Sequence, residues 1–154
     1  MKSLKGIGDL LAALFIAETR DLSLYTHYKQ IEKFAGLHLR LIESGKYSGR
    51  RRISHIGNRR LSWILYWMVE QTSRSVPEVR IKYLRRQIKK PCYRQSIIAC
   101  VPVLVKLIIS LVKEQRKYEF RAEKVAEMKR LERLYEEQKQ KHKKRKKNKT
   151  LATS

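Results

Sequence analysis

The sequence predicts a compact all-α fold, and three observations support that prediction. Apolar residues recur every three or four positions in several segments, which is the period of a helix that buries one face. Glycine and proline separate those segments. No segment alternates apolar and polar residues as a half-buried strand would. A chain of 154 residues can bury one modest core, so we expect one domain with an extension.

The first two predicted helices precede residue 36. Helical spacing of apolar residues predicts a helix over 9–20, with Asp9 placed to cap its start. A short Asp-Leu-Ser-Leu turn ends that helix. A second, shorter helix is predicted over 27–35, and Gly36 supplies its C-terminal stop.

A basic loop is predicted between Gly36 and Gly57, where the helical period disappears. Residues 44–62 read SGKYSGRRRISHIGNRRLS, with two Ser-Gly pairs, six Lys or Arg residues and no acidic residue. The density of glycine and positive charge predicts an extended or hairpin-like loop.

Two helices are predicted next, over 58–71 and 77–89. On the first, apolar residues recur at helical spacing, and we interpret Trp63 and Trp67 as core residues rather than as a platform for stacking bases. Pro77 suits the first position of the second helix, and Pro91 closes that helix.

The next segment, residues 97–112, is strongly apolar and reads IIACVPVLVKLIISLV. It is shorter than the roughly 20 residues that a helix needs to cross a bilayer, and it contains Pro102 and Lys106. We therefore interpret it as a buried core helix kinked at Pro102, and we expect no membrane partner. A membrane-associated protein that binds anionic lipid through a basic tail is the least favoured function class.

The composition changes after residue 113. Residues 114–138 mix Lys or Arg with Glu around a thin apolar stripe, as in a long charged helix that pairs with a partner. Residues 139–154 begin with KQKHKKRKKNK, which has eight Lys or Arg in eleven residues, and we expect this tail to be disordered when unbound. The predicted organisation is a domain over 1–113, a helical extension and a basic tail.

The charge balance indicates an anionic partner. The 37 Lys and Arg residues against 14 Asp and Glu leave a formal net charge of +23, which repels itself unless an anion such as nucleic acid is usually bound. Cys92 and Cys100 lack the spacing of zinc ligands or of a disulfide framework. We expect a cytoplasmic, nucleoid-associated protein.

Metal-dependent strand chemistry needs clustered carboxylates, and this chain offers few of them. Asp9 and Asp21 are its only aspartates, and the glutamates up to Glu78 are isolated from one another. The four histidines lie in no motif that selects one as a catalytic base. We therefore predict no metal site in this chain.

A serine beside arginines remains the candidate chemistry. A serine hydroxyl can attack phosphorus while guanidinium groups stabilise the charge on the non-bridging oxygens. On these residue types alone, a loop that only binds phosphate or is merely flexible is the commoner explanation.

Four stretches in a fixed order carry a resemblance to a known family. They are LKGIGDLLAALFIAE at 4–18, KQIEKFAGL at 29–37, ESGKYSGRRRISHIGNRRL at 43–61 and LVKLIISLVK at 104–113. Together they resemble the C-terminal domain of the insertion sequence 110/116/902 family of transposases, over residues 1 to about 113. The most specific part is the ordered series GIG, AGL, SG, RIS and GNRRL. In that family the first Ser-Gly carries the nucleophilic serine, which corresponds here to Ser44.

The resemblance implies a DNA recombinase whose active site has two halves. Members of the family join a RuvC-like domain, whose four acidic residues bind magnesium, to the serine-bearing domain, and a structured guide RNA selects the target. We expect Mg²⁺ to belong to a RuvC-like domain that this chain lacks. A second polypeptide or full-length transposase protomers would supply that domain, or the gene is truncated or frameshifted. The alternative function is an inactive remnant that binds nucleic acid electrostatically.

The resemblance and the charge pattern together define the candidate site. Ser44 is the catalytic candidate, and the candidate contacts to DNA phosphates are Gly6, Gly8, Gly45, Lys46, Arg50, Arg51, Arg52, Arg59 and Arg60. The turn with Gly6 and Gly8 resembles a helix-hairpin-helix element, and a simple capping turn is the alternative interpretation. Leu39 and the His55-Ile56 pair depart from the residues usual in the family, which are proline and Lys-Arg.

Overall fold

A computed structural model of the protein describes residues 3–40, 43–44, 47–48 and 52–151. In this part of the chain there are six α-helices and four two-residue strands. The helices are α1 (Asp9–Thr19), α2 (Tyr28–Phe34), α3 (Arg59–Thr72), α4 (Pro77–Lys89), α5 (Tyr93–Lys113) and α6 (Ala122–Leu151). The strands are β1 (Leu39–Arg40), β2 (Glu43–Ser44), β3 (Tyr47–Ser48) and β4 (Arg52–Ile53), and a 3-10 turn spans Leu22–Leu24. The predicted all-α fold is confirmed.

α5 forms the centre of the fold and packs against α2, α3 and α4. Its buried side chains include Ile97, Val101, Leu104 and Ile108, which recur at the three- and four-residue spacing of one helix face. Burying each such side chain contributes about 1.5–3 kcal/mol, so this face is the main source of stability. α1 packs on α3 and places Phe15 in the same core.

The length of α5 exceeds the sequence prediction. The helix has 21 residues and a mean hydropathy of 2.2 over its most apolar window, so by length and composition alone it could cross a membrane. Half of that window is buried inside the fold. Core helices of soluble proteins have the same length and composition, and the packing of α5 against three other helices agrees with the predicted core helix. Pro102 lies inside the helix, as expected.

The predicted caps are partly wrong. Asp9 was expected to cap α1, but the cap residue is Gly8, which has no side chain to do so, and Asp9 occupies the first turn instead. A carboxylate there interacts favourably with the positive end of the helix dipole. The start of α4 at Pro77 and its end at Lys89 agree with the prediction.

The interpretation of Trp63 and Trp67 as core residues is wrong. Their side chains are 56% and 38% exposed, whereas Leu61, Leu65 and Met68 of the same helix are fully buried. The two sets lie on opposite faces, because position 63 is about 200° around the helix from position 61. The helical spacing of apolar residues suggested that the pair shares a face with its apolar neighbours, but the angular position decides which residues meet α5.

α6 pairs with α4 of the same chain, where the sequence suggested a partner. Leu131 and Tyr135 of its apolar stripe pack against the core. Arg80 Nε donates to Glu132 Oε1 at 2.9 Å. Where the sequence predicted disorder from residue 139, α6 continues as a helix to Leu151. Residues 122–151 contain no glycine or proline and are rich in Lys, Arg, Glu and Gln, which are good helix formers.

Candidate nucleic-acid interface

The described residues of the basic loop between 37 and 56 form a hairpin-like arm, and we call residues 37–56 the arm. Strands β1 and β4 pair antiparallel, with Leu39 opposite Ile53 and Arg40 opposite Arg52. Strands β2 and β3, which lie between β1 and β4 in the sequence, also pair antiparallel, with Ser44 opposite Tyr47. The prediction of an extended or hairpin-like loop is therefore confirmed for the residues that the structure describes.

Two glycines hold the base of the arm, and we call this crossing the neck. A Cβ atom at Gly57 would lie 2.5 Å from the Gly36 nitrogen and 2.5 Å from the Phe34 oxygen. A Cβ atom at Gly36, where φ is +70°, would lie 2.9 Å from the Ile56 oxygen. Real Cβ atoms do not approach backbone so closely, so only glycine allows the two chain segments to cross here. The His55 amide donates to the Gly36 carbonyl at 3.0 Å and closes the neck.

Asn58 connects the neck to the helices. Its Oδ1 accepts from the Leu61 amide at 3.1 Å, which caps α3. Its Nδ2 donates to Glu18 Oε2 of α1 at 2.6 Å. The backbone amide of Asn58 also donates to the Phe34 carbonyl at 2.7 Å. One residue of the GNRRL motif therefore fixes the arm relative to α1, α2 and α3.

The structure describes only part of the candidate site. The backbone of Ser44 lies in β2 of the arm, and two residues separate it from its pairing partner Tyr47. The side chain of Ser44 and all of Gly45, Lys46, Arg50 and Arg51 lie outside the described residues. Arg52 is exposed in β4, and Arg59 and Arg60 are exposed in the first turn of α3. Ser44 and Arg52 thus lie in two different two-stranded sheets of the arm, and Arg59 and Arg60 follow its base in α3.

The N-terminal turn lies apart from the arm. Gly6 has φ +108°, and a Cβ atom there would lie 2.9 Å from the Gln71 oxygen at the end of α3. Tight packing therefore accounts for this glycine. Gly8 caps α1 and has open space around its Cα. Ser75 Oγ donates to the Lys5 carbonyl at 2.6 Å, and the Tyr118 amide donates to Ser3 Oγ at 2.9 Å. A contact of Gly6 or Gly8 with phosphate stays a prediction.

A basic groove of about 1140 Å³ lies beside the arm. Its walls come from α2, β1, β4, the end of α4 and the first half of α5. Five cationic side chains line it, from Lys29, Lys33, Arg52, Arg86 and Lys90, together with His38 and His55. The sequence did not predict this groove, because its cations come from segments far apart in the chain. Of the five, only Arg52 was among the predicted phosphate contacts.

Glu32 is the one acidic residue among those that line the groove. Burial raises the pKa of its carboxyl, and the charges of Lys29 and Lys106 oppose that effect. The Nδ1 atom of His38 is buried without a hydrogen-bond partner among the described residues. The groove therefore has a large excess of positive charge and suits a polyanion.

Comparison with known proteins decides the family. Residues 1–84, more than half of the chain, match the model of the transposase IS116/IS110/IS902 family. The chain belongs to this family. The matched region contains the N-terminal turn, the arm, the neck and α3, whereas α5 and α6 of this transposase-family chain follow it.

One relative from this transposase group is the insertion element IS116 uncharacterized 44.8 kDa protein of Streptomyces clavuligerus. It is 25% identical over 116 residues, which is 75% of this chain and 29% of the relative. The chain thus spans less than a third of the length of that relative.

The described part of this transposase-family chain contains no group of three His, Cys, Asp or Glu residues placed to hold a metal ion. The residues that the structure describes therefore do not fit the magnesium that the family resemblance implies. Burial raises the pKa of the Cys100 thiol to about 12, so Cys100 is not a nucleophile at neutral pH.

Proposed function

We propose that this chain is the serine-bearing domain of an insertion-sequence transposase, which binds DNA and takes part in strand cleavage and joining during transposition. The observation that carries the proposal is the arm: a neck that tolerates only glycine holds its base, Ser44 lies in one of its strands, and Arg52 in another strand lines a cationic groove. A rigidly based arm beside positive charge is suited to hold a phosphodiester near a serine hydroxyl.

The chemical step we propose is a transesterification at phosphorus. Ser44 Oγ forms a bond to phosphorus while the bond from phosphorus to one sugar oxygen breaks. The serine proton passes to a base, and the departing sugar oxygen takes up a proton. A guanidinium group offers hydrogen-bond donors and no acceptor, so Arg52, Arg59 and Arg60 can stabilise the phosphoryl oxygens but cannot be the base.

Because arginine cannot be the base, we propose that the RuvC-like domain of the family supplies it. A serine hydroxyl is a weak nucleophile until a base or a metal ion activates it. Asp9 and Glu18 belong to α1 and Asp21 follows that helix, so Glu43, the neighbour of Ser44 in β2, is the one of these four carboxylates on the arm. A single carboxylate is not the cluster that holds metal ions near a nucleophile. A separate polypeptide or a full-length protomer would supply that domain, a guide RNA would select the target, and the assembly would act at the nucleoid.

The test is a search for a covalent protein–DNA adduct. The purified chain is incubated with DNA, guide RNA and Mg²⁺, alone and with a separately expressed N-terminal domain from a full-length relative. We expect adduct only in the mixture and none with Ser44→Ala, whereas the matched variant Ser48→Ala keeps it. Adduct from the chain alone would contradict the need for a second half-site. Adduct that survives Ser44→Ala would show that another residue is the nucleophile.

The rival function is a nucleic-acid-binding remnant without strand chemistry. The net charge of +23 supports it, because charge alone gives sequence-independent binding. Salt-dependent DNA binding, with no adduct from the chain alone or from the chain with the N-terminal domain, would favour the remnant.

A further inference from the structure

The exposed face of α3 carries an aromatic pair that the proposed chemistry does not use. Trp63 and Trp67 lie one turn apart, with ring centroids 6.0 Å from each other and ring planes at 62°. Both indoles are exposed, although tryptophan is largely buried in most proteins. Burial in this core therefore does not explain them.

Two arginines precede the pair on the same face. Arg59 lies four residues before Trp63, and Arg60 lies three before it, so these side chains are neighbours on the helix surface. Side chains of a helix lean toward its N-terminus, which inclines Trp63 toward the arginines. Neither arginine has an ion-pair partner among the described residues.

At the other end of the face, an acidic and a basic side chain offset each other. Glu70 follows Trp67 by three residues, and its Oε1 accepts from the Tyr93 hydroxyl at 2.8 Å and pairs with Arg74 at 3.5 Å. Positive charge is therefore concentrated at the end of α3 that adjoins the neck. An anionic ligand would place its charge there and its apolar part over the indoles.

We infer that Trp63 and Trp67 form a stacking platform for unpaired bases of a single-stranded nucleic acid, whose phosphates contact Arg59 and Arg60. The inference rests on the proposed nucleic-acid-binding function and adds to it a requirement for unpaired bases beside the arm.

Charge and geometry favour a single strand over a duplex. Base faces are available for stacking only where the bases are unpaired, and an aromatic ring next to arginine combines base stacking with phosphate binding. A duplex offers phosphates to Arg59 and Arg60 but keeps its base faces inside the stack. The platform should therefore discriminate between the two forms, which the basic groove alone would not do.

The chain itself supplies the probe, because Trp63 and Trp67 are its only two tryptophans. The protein is titrated with a labelled oligothymidylate and, separately, with a labelled duplex of the same length. Tryptophan fluorescence of the protein reports contact with the indoles, and fluorescence anisotropy of the label reports binding. We expect the single strand to quench the emission with the same midpoint as the anisotropy change. The duplex should bind with little quenching.

Variants assign the effect to the rings. Replacing both tryptophans by leucine should weaken single-strand binding roughly 5- to 100-fold and leave duplex binding unchanged. Phe120→Leu is the matched control, because Phe120 is 53% exposed and lies between α5 and α6. Circular dichroism checks that each variant keeps its helices.

Four outcomes would overturn the inference. Binding of the single strand without a change in emission, or an equal loss of duplex affinity in the double variant, would remove the platform and leave nucleic-acid binding intact. A shift in tryptophan emission that depends on protein concentration, in the absence of oligonucleotide, would show that Trp63 and Trp67 form a contact between two copies of the chain. No binding by either probe would refute both this inference and the proposed function.

Discussion

Asn58 Nδ2 donates a hydrogen bond to Glu18 Oε2 at 2.6 Å, across 40 positions of sequence. The same amide group caps α3 through its oxygen. Because a carboxylate acceptor strengthens a hydrogen bond, this contact fastens the end of α1 to the start of α3 beside the neck.

We expect Asn58→Ala to lower the free energy of unfolding by about 2–3 kcal/mol, since it removes a helix cap and a charge-assisted bond at once. Glu18→Ala keeps the capping oxygen of Asn58 and removes only the acceptor for its Nδ2. Urea unfolding of both variants separates the two contributions. Equal losses would show that the bond to Glu18, and not the cap, accounts for the effect.

Gly57→Ala should destabilise the protein, because its Cβ would lie 2.5 Å from two backbone atoms that cannot move independently. A loss of roughly 1–3 kcal/mol is expected. Gly8→Ala is the matched control, since a Cβ there meets nothing within 4 Å. Thermal unfolding compares the two variants, and similar shifts in Tm would argue against the neck.

The basic groove should contribute measurably to the salt dependence of DNA binding. Each phosphate contact that is lost reduces the slope of log affinity against log salt by about 0.9 for duplex DNA. We expect the combined variant Lys33→Gln, Arg86→Gln and Lys90→Gln to flatten that slope by about 2–3. Lys129→Gln, Arg130→Gln and Arg133→Gln remove the same charge from exposed positions of α6. An equal effect of both triples would mean that only net charge matters.

Stability should fall in alkaline solution. Burial, followed by the hydrogen bond to Glu78, raises the pKa of Tyr118 in the folded protein above its usual value of 10.0. The unfolded chain therefore loses this proton first as pH rises past 10, and stability declines by up to about 1.4 kcal/mol per pH unit. Tyr118→Phe removes that titration, so its unfolding free energy should decline less between pH 9.5 and 11, as measured in urea. An identical decline would assign the alkaline loss to other groups, such as Cys100.

The sequence predicted elements better than it predicted surfaces. Pro77 and Gly36 act locally, so the start of α4 and the stop after α2 could be located without the fold. The exposure of Trp63 depends on which face of α3 meets α5, and that is a tertiary property. The groove likewise arises only when Lys33 and Arg86, from two different helices, are brought together. The family motif located the arm, because the neck needs Gly36 and Gly57 at fixed positions.

The bond between Ser3 Oγ and the Tyr118 amide has a consequence for the order of folding during synthesis. A ribosome releases the chain from its N-terminus, so Ser3 emerges long before its partner. The arm, the neck and α3 can assemble from the residues already made, whereas the N-terminal turn must wait for Tyr118. Translation that stopped before this residue would leave the turn without the bond to Tyr118.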